Sequence, residues 1–163
     1  MKRIGLLSDT HGHIHPRATD FFSDCHEIWH AGDIGNIETL ELLKDIKPTR
    51  AVYGNIDGAD LRSELSEFEI FTIEGIKVLI IHIGGYPGRY EKQVKYLLDK
   101  HNPGLFISGH SHILKVMPDK NKNLLHINPG AAGNIGLHKV ITLLKFIIRN
   151  GVIEEVEIFE AER

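Results

Sequence analysis

Five short groups of polar residues in this 163-residue chain carry side chains that bind metal ions, and each group follows an apolar run. The groups are Asp9-Thr10-His11, Gly32-Asp33, Gly54-Asn55, His82 and Gly109-His110-Ser111-His112. Nitrogen and oxygen donors without a thiolate suit manganese, iron, zinc, cobalt or nickel better than magnesium or calcium. A pair of such ions can generate hydroxide and hold phosphoryl oxygens, so these residues predict the hydrolysis of phosphate esters.

The spacing within two of these groups supports the same prediction. Asp9 and His11, like His110 and His112, are two residues apart, which lets alternate side chains point the same way where a strand frays into its loop. Glycine stands at positions 32, 54 and 109, where we expect the backbone to turn sharply or to approach a ligand closely. Each pair could therefore hold neighbouring ions.

The elements that position these residues begin with a β-α-β-α-β pattern. Arg3–Ser8, Ile28–His30 and Ala51–Tyr53 are predicted as short buried strands. Thr19–Phe22 and Ile37–Ile46 are predicted as helices, the second with Asn36 as its N-cap and Pro48 beyond its end. The pattern indicates a parallel sheet, and ligands of such sheets gather at the carboxyl ends of the strands.

The second half of the chain is predicted to be richer in strands. The predicted strands are 69–73, 76–82, 105–108, 113–117, 124–127, 139–148 and 152–159, with one helix at 90–101. Glu74-Gly75 and Asn150-Gly151 are typical of hairpin turns. We expect this half to be antiparallel, and we expect two sheets packed face to face and covered by helices. With no repeat or linker in the sequence, residues 1–163 are predicted to form a single domain.

Composition excludes several classes of protein. A formal net charge of -3 argues against a broad nucleic-acid-binding surface, because phosphate contacts require clustered Lys and Arg. Cys25 is the only cysteine, so no intramolecular disulfide can form, and we expect it to be a small buried residue. The apolar run Ile4–Leu7 is too short for a signal segment or a membrane span, and we expect a cytoplasmic protein without membrane contact.

The order of the five groups resembles the motifs of the calcineurin-like metallophosphoesterase superfamily, and Asn128-Pro129-Gly130 extends the match. The short chain is most similar to the YfcE-type single-domain phosphodiesterases of bacteria and archaea. The resemblance implies a four-layer α/β/β/α sandwich of two mixed sheets flanked by helices. It also implies two divalent ions, with manganese favoured over iron, zinc, nickel or cobalt, and a hydroxide that bridges them and attacks phosphorus.

By the same resemblance, the seven metal-binding residues divide into two sets that share Asp33. Asp9, His11, Asp33 and His112 would bind the first ion, and Asp33, Asn55, His82 and His110 the second. Asn55 would also contact the substrate and take part in catalysis.

The sequence departs from the family pattern beside two ligands. Many family members have a histidine after the motif asparagine, where it protonates the leaving group, and here Ile56 stands in its place. His13 is the catalytic candidate for that proton, with a surface histidine as the alternative. His82 is followed by Ile83-Gly84-Gly85 instead of the common glycine, and Arg89, further along this loop, is a candidate phosphate contact.

The function predicted from these observations is a metal-dependent phosphodiesterase that acts on small or activated phosphate diesters. Two alternatives stay open: a non-catalytic metal-binding scaffold similar to the retromer subunit of this fold, and a cyclic-nucleotide phosphodiesterase or nuclease. The resemblance also suggests a homodimer. Among the other histidines, His30 and His126 are predicted to be structural, while His26, His101 and His138 are expected in loops or solvent without a role.

Overall fold

The computed structural model describes residues 1–163, which form two five-stranded sheets, a two-stranded hairpin and four helices. The helices are α1 (Ala18–Phe21), α2 (Ile37–Ile46), α3 (Ala59–Glu64) and α4 (Lys92–His101). The first seven strands are β1 (Lys2–Leu7), β2 (Glu27–His30), β3 (Thr49–Ala51), β4 (Phe68–Ile73), β5 (Ile76–Ile81), β6 (Gly85–Tyr86) and β7 (Arg89–Tyr90). The other five are β8 (Leu105–Ile107), β9 (Leu114–Asp119), β10 (Leu124–Pro129), β11 (Val140–Arg149) and β12 (Val152–Glu162).

The first sheet has the strand order β12-β11-β1-β2-β3. Strands β1, β2 and β3 run parallel, as the opening pattern predicted. The β11–β12 hairpin pairs with β1 antiparallel and turns at Asn150-Gly151, both residues with positive φ. The sheet is therefore mixed, and the carboxyl ends of its three parallel strands lie at one edge.

The second sheet has the order β4-β5-β8-β10-β9 and corrects the expectation of an antiparallel second half. Strands β5, β8 and β10 run parallel, and only the outer strands β4 and β9 are antiparallel to their neighbours. Helix α4 connects β5 to β8, as parallel neighbours require. The carboxyl ends of β5 and β8 consequently meet at one edge, as those of β1 to β3 do.

Three layers of apolar contact make the four-layer sandwich. Alternate residues of β5 show the arrangement: Val78 and Ile80 face the first sheet, where Trp29 and Phe146 are buried, while Leu79 and Ile81 pack against α4. On the opposite side, Leu43 of α2 and Phe22 pack on the outer face of the first sheet. The predicted α/β/β/α fold is confirmed, and burial of β5 on both faces explains the continuous apolar run Val78–Ile81.

Sequence patterns misplaced or missed some local elements. Asn36 caps α2 by accepting a hydrogen bond from the Thr39 N–H at 2.9 Å, as predicted. Strand β3 ends at Ala51, two residues earlier than expected, because Tyr53 pairs with the Ser66 carbonyl outside the sheet. The short helix α3 and the β6–β7 hairpin were not predicted, since neither has a clear hydrophobic period.

Candidate metal centre

The seven predicted ligands lie at the adjoining edges of the two sheets. In the first sheet, Asp9 and His11 follow β1, Asp33 follows β2 and Asn55 follows β3. From the second sheet, His82 follows β5, and His110 and His112 follow β8. The atoms His82 Nε2 and Asp33 Oδ2, which come from different sheets, are 3.2 Å apart.

The side chains form two adjoining groups that have the composition of metal sites. Asp9, His11 and His112 make one group, and Asp33, His82 and His110 make the other. Within each group the ligand atoms all lie within 4.8 Å of one another. Asp33 Oδ2 is also 3.7 Å from His11 Nε2, so this carboxylate reaches both groups. Asn55 joins the second group through its Oδ1, which is 3.1 Å from His82 Nε2.

One oxygen of each carboxylate accepts hydrogen bonds from neighbouring residues, and the other is directed at imidazoles. Asp9 Oδ2 accepts hydrogen bonds from the Ser8 hydroxyl at 2.6 Å and from the His110 N–H at 3.1 Å. Its Oδ1 faces His112 Nε2 at 3.1 Å. Asp33 Oδ1 accepts from the Ile56 N–H at 3.0 Å, while Oδ2 faces His82. These bonds fix the orientation of both carboxylates before any ion binds.

The tautomer of His82 is set by the main chain. Its Nδ1 lies 2.8 Å from the Ala31 carbonyl oxygen, which can only accept, so Nδ1 carries the proton. In the neutral ring Nε2 is then an unprotonated acceptor, and it faces the Asp33 and Asn55 oxygens. Acceptors that face one another repel, and a cation between them removes the repulsion.

Two buried atoms have no hydrogen-bond partner in this cluster, Asp9 Oδ1 and His11 Nε2. Leaving a buried polar atom unsatisfied costs about 1–3 kcal/mol, more when the group is charged. Ligation of a cation satisfies both atoms at once. The orphaned atoms, the nitrogen and oxygen donors and the fixed ligand orientations all fit divalent metal ions.

The electrostatics of the cluster keep its carboxylates ionised. Burial raises the pKa of Asp9, but the adjacent imidazoles of His112 and His82, when they carry a proton on Nε2, outweigh it and lower that pKa below its ordinary value. Burial also raises the pKa of Asp33, and His82 with the Ile56 N–H reverses this effect. For His82, burial lowers the pKa, but the two carboxylates raise it above the usual value.

The backbone at five of the seven ligands is left-handed, which is uncommon for residues other than glycine. The φ angles are 55° at Asp9, 47° at His11, 56° at Asp33, 68° at His110 and 60° at His112. The expectation that Asp9 and His11 converge by strand alternation is therefore wrong, because β1 ends at Leu7 and the turn itself directs both side chains. Strained backbone of this kind clusters at functional sites.

Gly54 shows why glycines precede these ligands. A Cβ at Gly54 would overlap the carboxylate and the backbone nitrogen of Asp33, and one at Gly32 would lie 2.6 Å from the Cβ of His82. Neither position accepts a side chain without displacing a ligand. The prediction of close approach at these glycines is confirmed.

Sequence reasoning missed Asp57 and Arg62, which support the site through backbone atoms. The Asp57 carboxylate is buried and accepts hydrogen bonds from the N–H groups of Ile34, Gly35 and Gly54 at 3.1, 2.8 and 2.7 Å. It thereby joins the loop after Asp33 to the loop before Asn55. The Arg62 guanidinium donates to the Asp57 carbonyl at 2.6 Å and to the Gly54 carbonyl at 3.1 Å.

The remaining histidines divide between structural and unassigned positions. His30 is buried between the Thr10 hydroxyl and the Gly32 N–H, and burial lowers its pKa to about 4, in keeping with the predicted structural role. His138 lies in an irregular loop, as expected, and its Nδ1 is 3.2 Å from Nδ1 of His112. This contact could not be read from the sequence, since His138 lies 26 residues beyond His112 in an irregular loop.

Two of the predicted catalytic and substrate contacts lie outside both groups. His13 is half-buried and belongs to neither group. Arg89 is exposed on β7 and lines neither of two cavities beside the cluster. Both assignments stay predictions.

No helix of the structure combines the length and apolar character needed to cross a membrane.

Comparison with known proteins agrees with this architecture. Residues 1–150 match the model of the calcineurin-like phosphoesterase superfamily domain. A protein of Methanothermobacter thermautotrophicus, named a probable metallophosphoesterase, is 32% identical over 135 residues, covering 78% of this chain and 76% of the relative. A second, of Methanocaldococcus jannaschii, bears the same description and is 34% identical over 134 residues, covering 78% and 67%.

Solved structures show the same fold at lower identity. An archaeal phosphodiesterase superposes with a TM-score of 0.76 at 22% identity, covering 98% of this chain and 99% of that one. Vps29 of Chaetomium thermophilum superposes with a TM-score of 0.77 at 16% identity, covering 99% and 97%. From its family model, its relatives and its fold, the chain belongs to the calcineurin-like phosphoesterase superfamily.

Proposed function

We propose that this protein is a metal-dependent phosphodiesterase with two divalent ions, manganese being the expected metal. Asp9, His11, Asp33 and His112 would hold the first ion, and Asp33, Asn55, His82 and His110 the second. The observation that carries the proposal is the pair of adjoining groups, each with an ionised carboxylate oxygen and imidazole nitrogens turned toward one point. Two divalent ions in such a site supply hydroxide near neutral pH and stabilise the charge on the phosphoryl oxygens.

Two cavities beside the second group support a diester as the substrate. One, of about 420 Å³, is lined by Asn55 and His82 together with Arg62 and Lys92. The other, of about 160 Å³, is lined by His110, and Ile83 borders both. A phosphodiester has two substituents on phosphorus, and one substituent can enter each cavity. A monoester would fill only one of them.

The choice of leaving group follows from the residue after Asn55. Ile56 is exposed and cannot donate a proton from its side chain. His13 belongs to neither metal group and is the proposed proton donor. We therefore propose substrates whose leaving group departs without strong acid assistance.

A scaffold role is the alternative, since Vps29 proteins share the fold. At 16% identity this likeness concerns the fold alone. The complete set of seven predicted ligands favours the enzyme, whereas the orphaned buried atoms fit a bound metal ion in either case.

Hydrolysis by metal-stripped protein, before and after manganese is added, tests the proposal. The substrates are bis(p-nitrophenyl) phosphate and p-nitrophenyl phosphate, and iron, zinc, nickel and cobalt are compared with manganese. We expect metal-restored diester cleavage that Asn55→Ala loses and that Asn121→Ala, an exposed asparagine remote from the site, retains. A folded, metal-loaded protein without turnover would refute the enzyme and favour the scaffold.

A further inference from the structure

A histidine outside the family's ligand set lies against the first metal group. His138 follows the glycine-rich loop after β10, and its ring centroid is 5.0 Å from that of His112. We propose that His138 is a positioning residue, which fixes His112 as the tautomer whose Nε2 is free to bind a cation. The inference rests on the proposed metal site for its purpose, but its structural basis is independent of any ion.

The direction of each hydrogen bond follows from one carbonyl oxygen. His138 Nε2 lies 2.8 Å from the Gly133 carbonyl oxygen, which can only accept, so Nε2 carries the proton of the neutral ring. Its Nδ1 is then an acceptor, 3.2 Å from His112 Nδ1. His112 Nδ1 must therefore donate, and the chain of donors runs from His112 through His138 to Gly133.

The consequence appears at the other nitrogen of His112. With Nδ1 protonated, the neutral ring has an unprotonated Nε2, directed at Asp9 Oδ1 at 3.1 Å. The alternative tautomer would place a proton on Nε2, which would then donate to Asp9 and could not bind a metal. His138 thus selects the ligand form of His112, a role that hydrogen-bond partners of metal-bound histidines generally fill.

The loop that carries His138 is anchored to the strand end that carries Asp9. The N–H groups of Ala132 and Gly133 donate to the carbonyls of Ser8 and Asp9 at 2.8 and 3.0 Å. Gly136 has φ of 135°, and a Cβ there would overlap the His112 ring and lie 3.0 Å from His138 Nδ1. The backbone therefore passes directly over both imidazoles, which requires glycine at this position.

One histidine in each metal group has an orienting partner, and the two partners differ in kind. His82, in the second group, donates to the main-chain carbonyl of Ala31, whereas His112 relies on a side chain that mutation can remove. A change at His138 should consequently affect the first group alone. This asymmetry separates a positioning role from a general loss of structure.

The test compares His138→Leu, His138→Gln and His101→Leu with the wild type, the last being a histidine at the end of α4. In metal-free protein at about pH 8, where ordinary imidazoles are neutral, two-bond ¹H–¹⁵N correlation spectra report the tautomer of His112. We expect His112 to be in the Nδ1–H form in wild type and in His101→Leu. This form should no longer dominate in His138→Leu. It should recover in His138→Gln, because the amide oxygen of glutamine can accept the hydrogen bond from His112 Nδ1.

Manganese titration supplies the second measurement. In His138→Leu the manganese affinity of one of the two binding steps should weaken by about 10–100-fold. The affinity of the other step should stay near that of His101→Leu, and so should the midpoint of urea unfolding. An Nε2–H tautomer of His112 in wild type, or a His138→Leu protein with unchanged tautomer and affinity, would overturn the inference. Since the spectra need no metal, they decide the role of His138 even if the wild type binds no manganese and the proposed function fails.

Discussion

Asp57 is the residue whose removal should damage the site most without touching a ligand. Its carboxylate is 3% exposed and accepts hydrogen bonds from the N–H groups of Ile34, Gly35 and Gly54. The substitution Asp57→Ala removes all three acceptor contacts. The loops on either side carry Asp33 and Asn55, so Asp33, the ligand proposed to bridge both groups, loses its support.

The size of the effect follows from the burial of the three N–H groups. Ile34 and Gly54 are buried, and each orphaned N–H there costs about 1–3 kcal/mol. Gly35 is exposed, and water can replace its partner at little cost. We therefore expect Asp57→Ala to reduce the free energy of unfolding by roughly 2–6 kcal/mol. This loss is a large fraction of the roughly 5–15 kcal/mol that is typical of a native domain.

Urea unfolding followed by tryptophan fluorescence measures this loss, because Trp29 is buried in the core between the sheets. Asp57→Asn keeps one acceptor oxygen and should fall between wild type and Asp57→Ala. Asp60→Ala, an exposed carboxylate in the first turn of α3, is the matched control and should change stability by less than about 1 kcal/mol. An Asp57→Ala protein as stable as this control would refute the reasoning.

Three further predictions concern acid stability, the close approach at Gly54 and the leaving group. Burial lowers the pKa of His126 to about 4. Below pH 6.5 the unfolded chain therefore binds more protons than the folded chain, and stability falls as the pH drops. The free energy of unfolding should fall between pH 7 and pH 5 by about 2 kcal/mol less in His126→Gln than in wild type. Gly54→Ala should displace the Asp33 carboxylate and weaken manganese binding at both sites. Unchanged manganese affinity in a titration would count against the close approach of Gly54 to Asp33. Ile56→His, at a position 46% exposed, should accelerate hydrolysis of diesters with alkyl leaving groups by about 10²-fold or more. Hydrolysis of nitrophenyl esters should change little. Equal effects on both substrates would contradict the interpretation that Ile56 stands in place of the leaving-group acid.

The positions of the ligands were predictable because each follows a strand. The apolar runs before Asp9, Asp33 and Asn55 identify three parallel strands, and parallel strands end at one edge. The same reasoning placed His82 and His110 after strands, even though the second sheet was expected to be antiparallel. Helix α4 between β5 and β8 contained the signal for parallel pairing, since a helix connects parallel neighbours.

The parts of the site that were missed depend on contacts distant in sequence. Asp57, Arg62 and His138 act on backbone atoms or on another imidazole, and no local pattern identifies such partners. The left-handed backbone at Asp9 and His110 was equally hidden, because most aspartates and histidines still have negative φ and only glycine adopts positive φ as readily. Only the assembled loops show which atoms these residues contact.

The number of metal ions bound per chain distinguishes a shared dinuclear site from a site for a single ion. Metal-stripped protein is titrated with manganese by calorimetry, and bound metal is counted after equilibrium dialysis. The two groups predict two ions per chain, with Asp33→Asn impairing both binding steps and Asn55→Ala impairing one. Binding of a single ion, or wild-type binding that survives Asp33→Asn, would contradict the account of a shared dinuclear site.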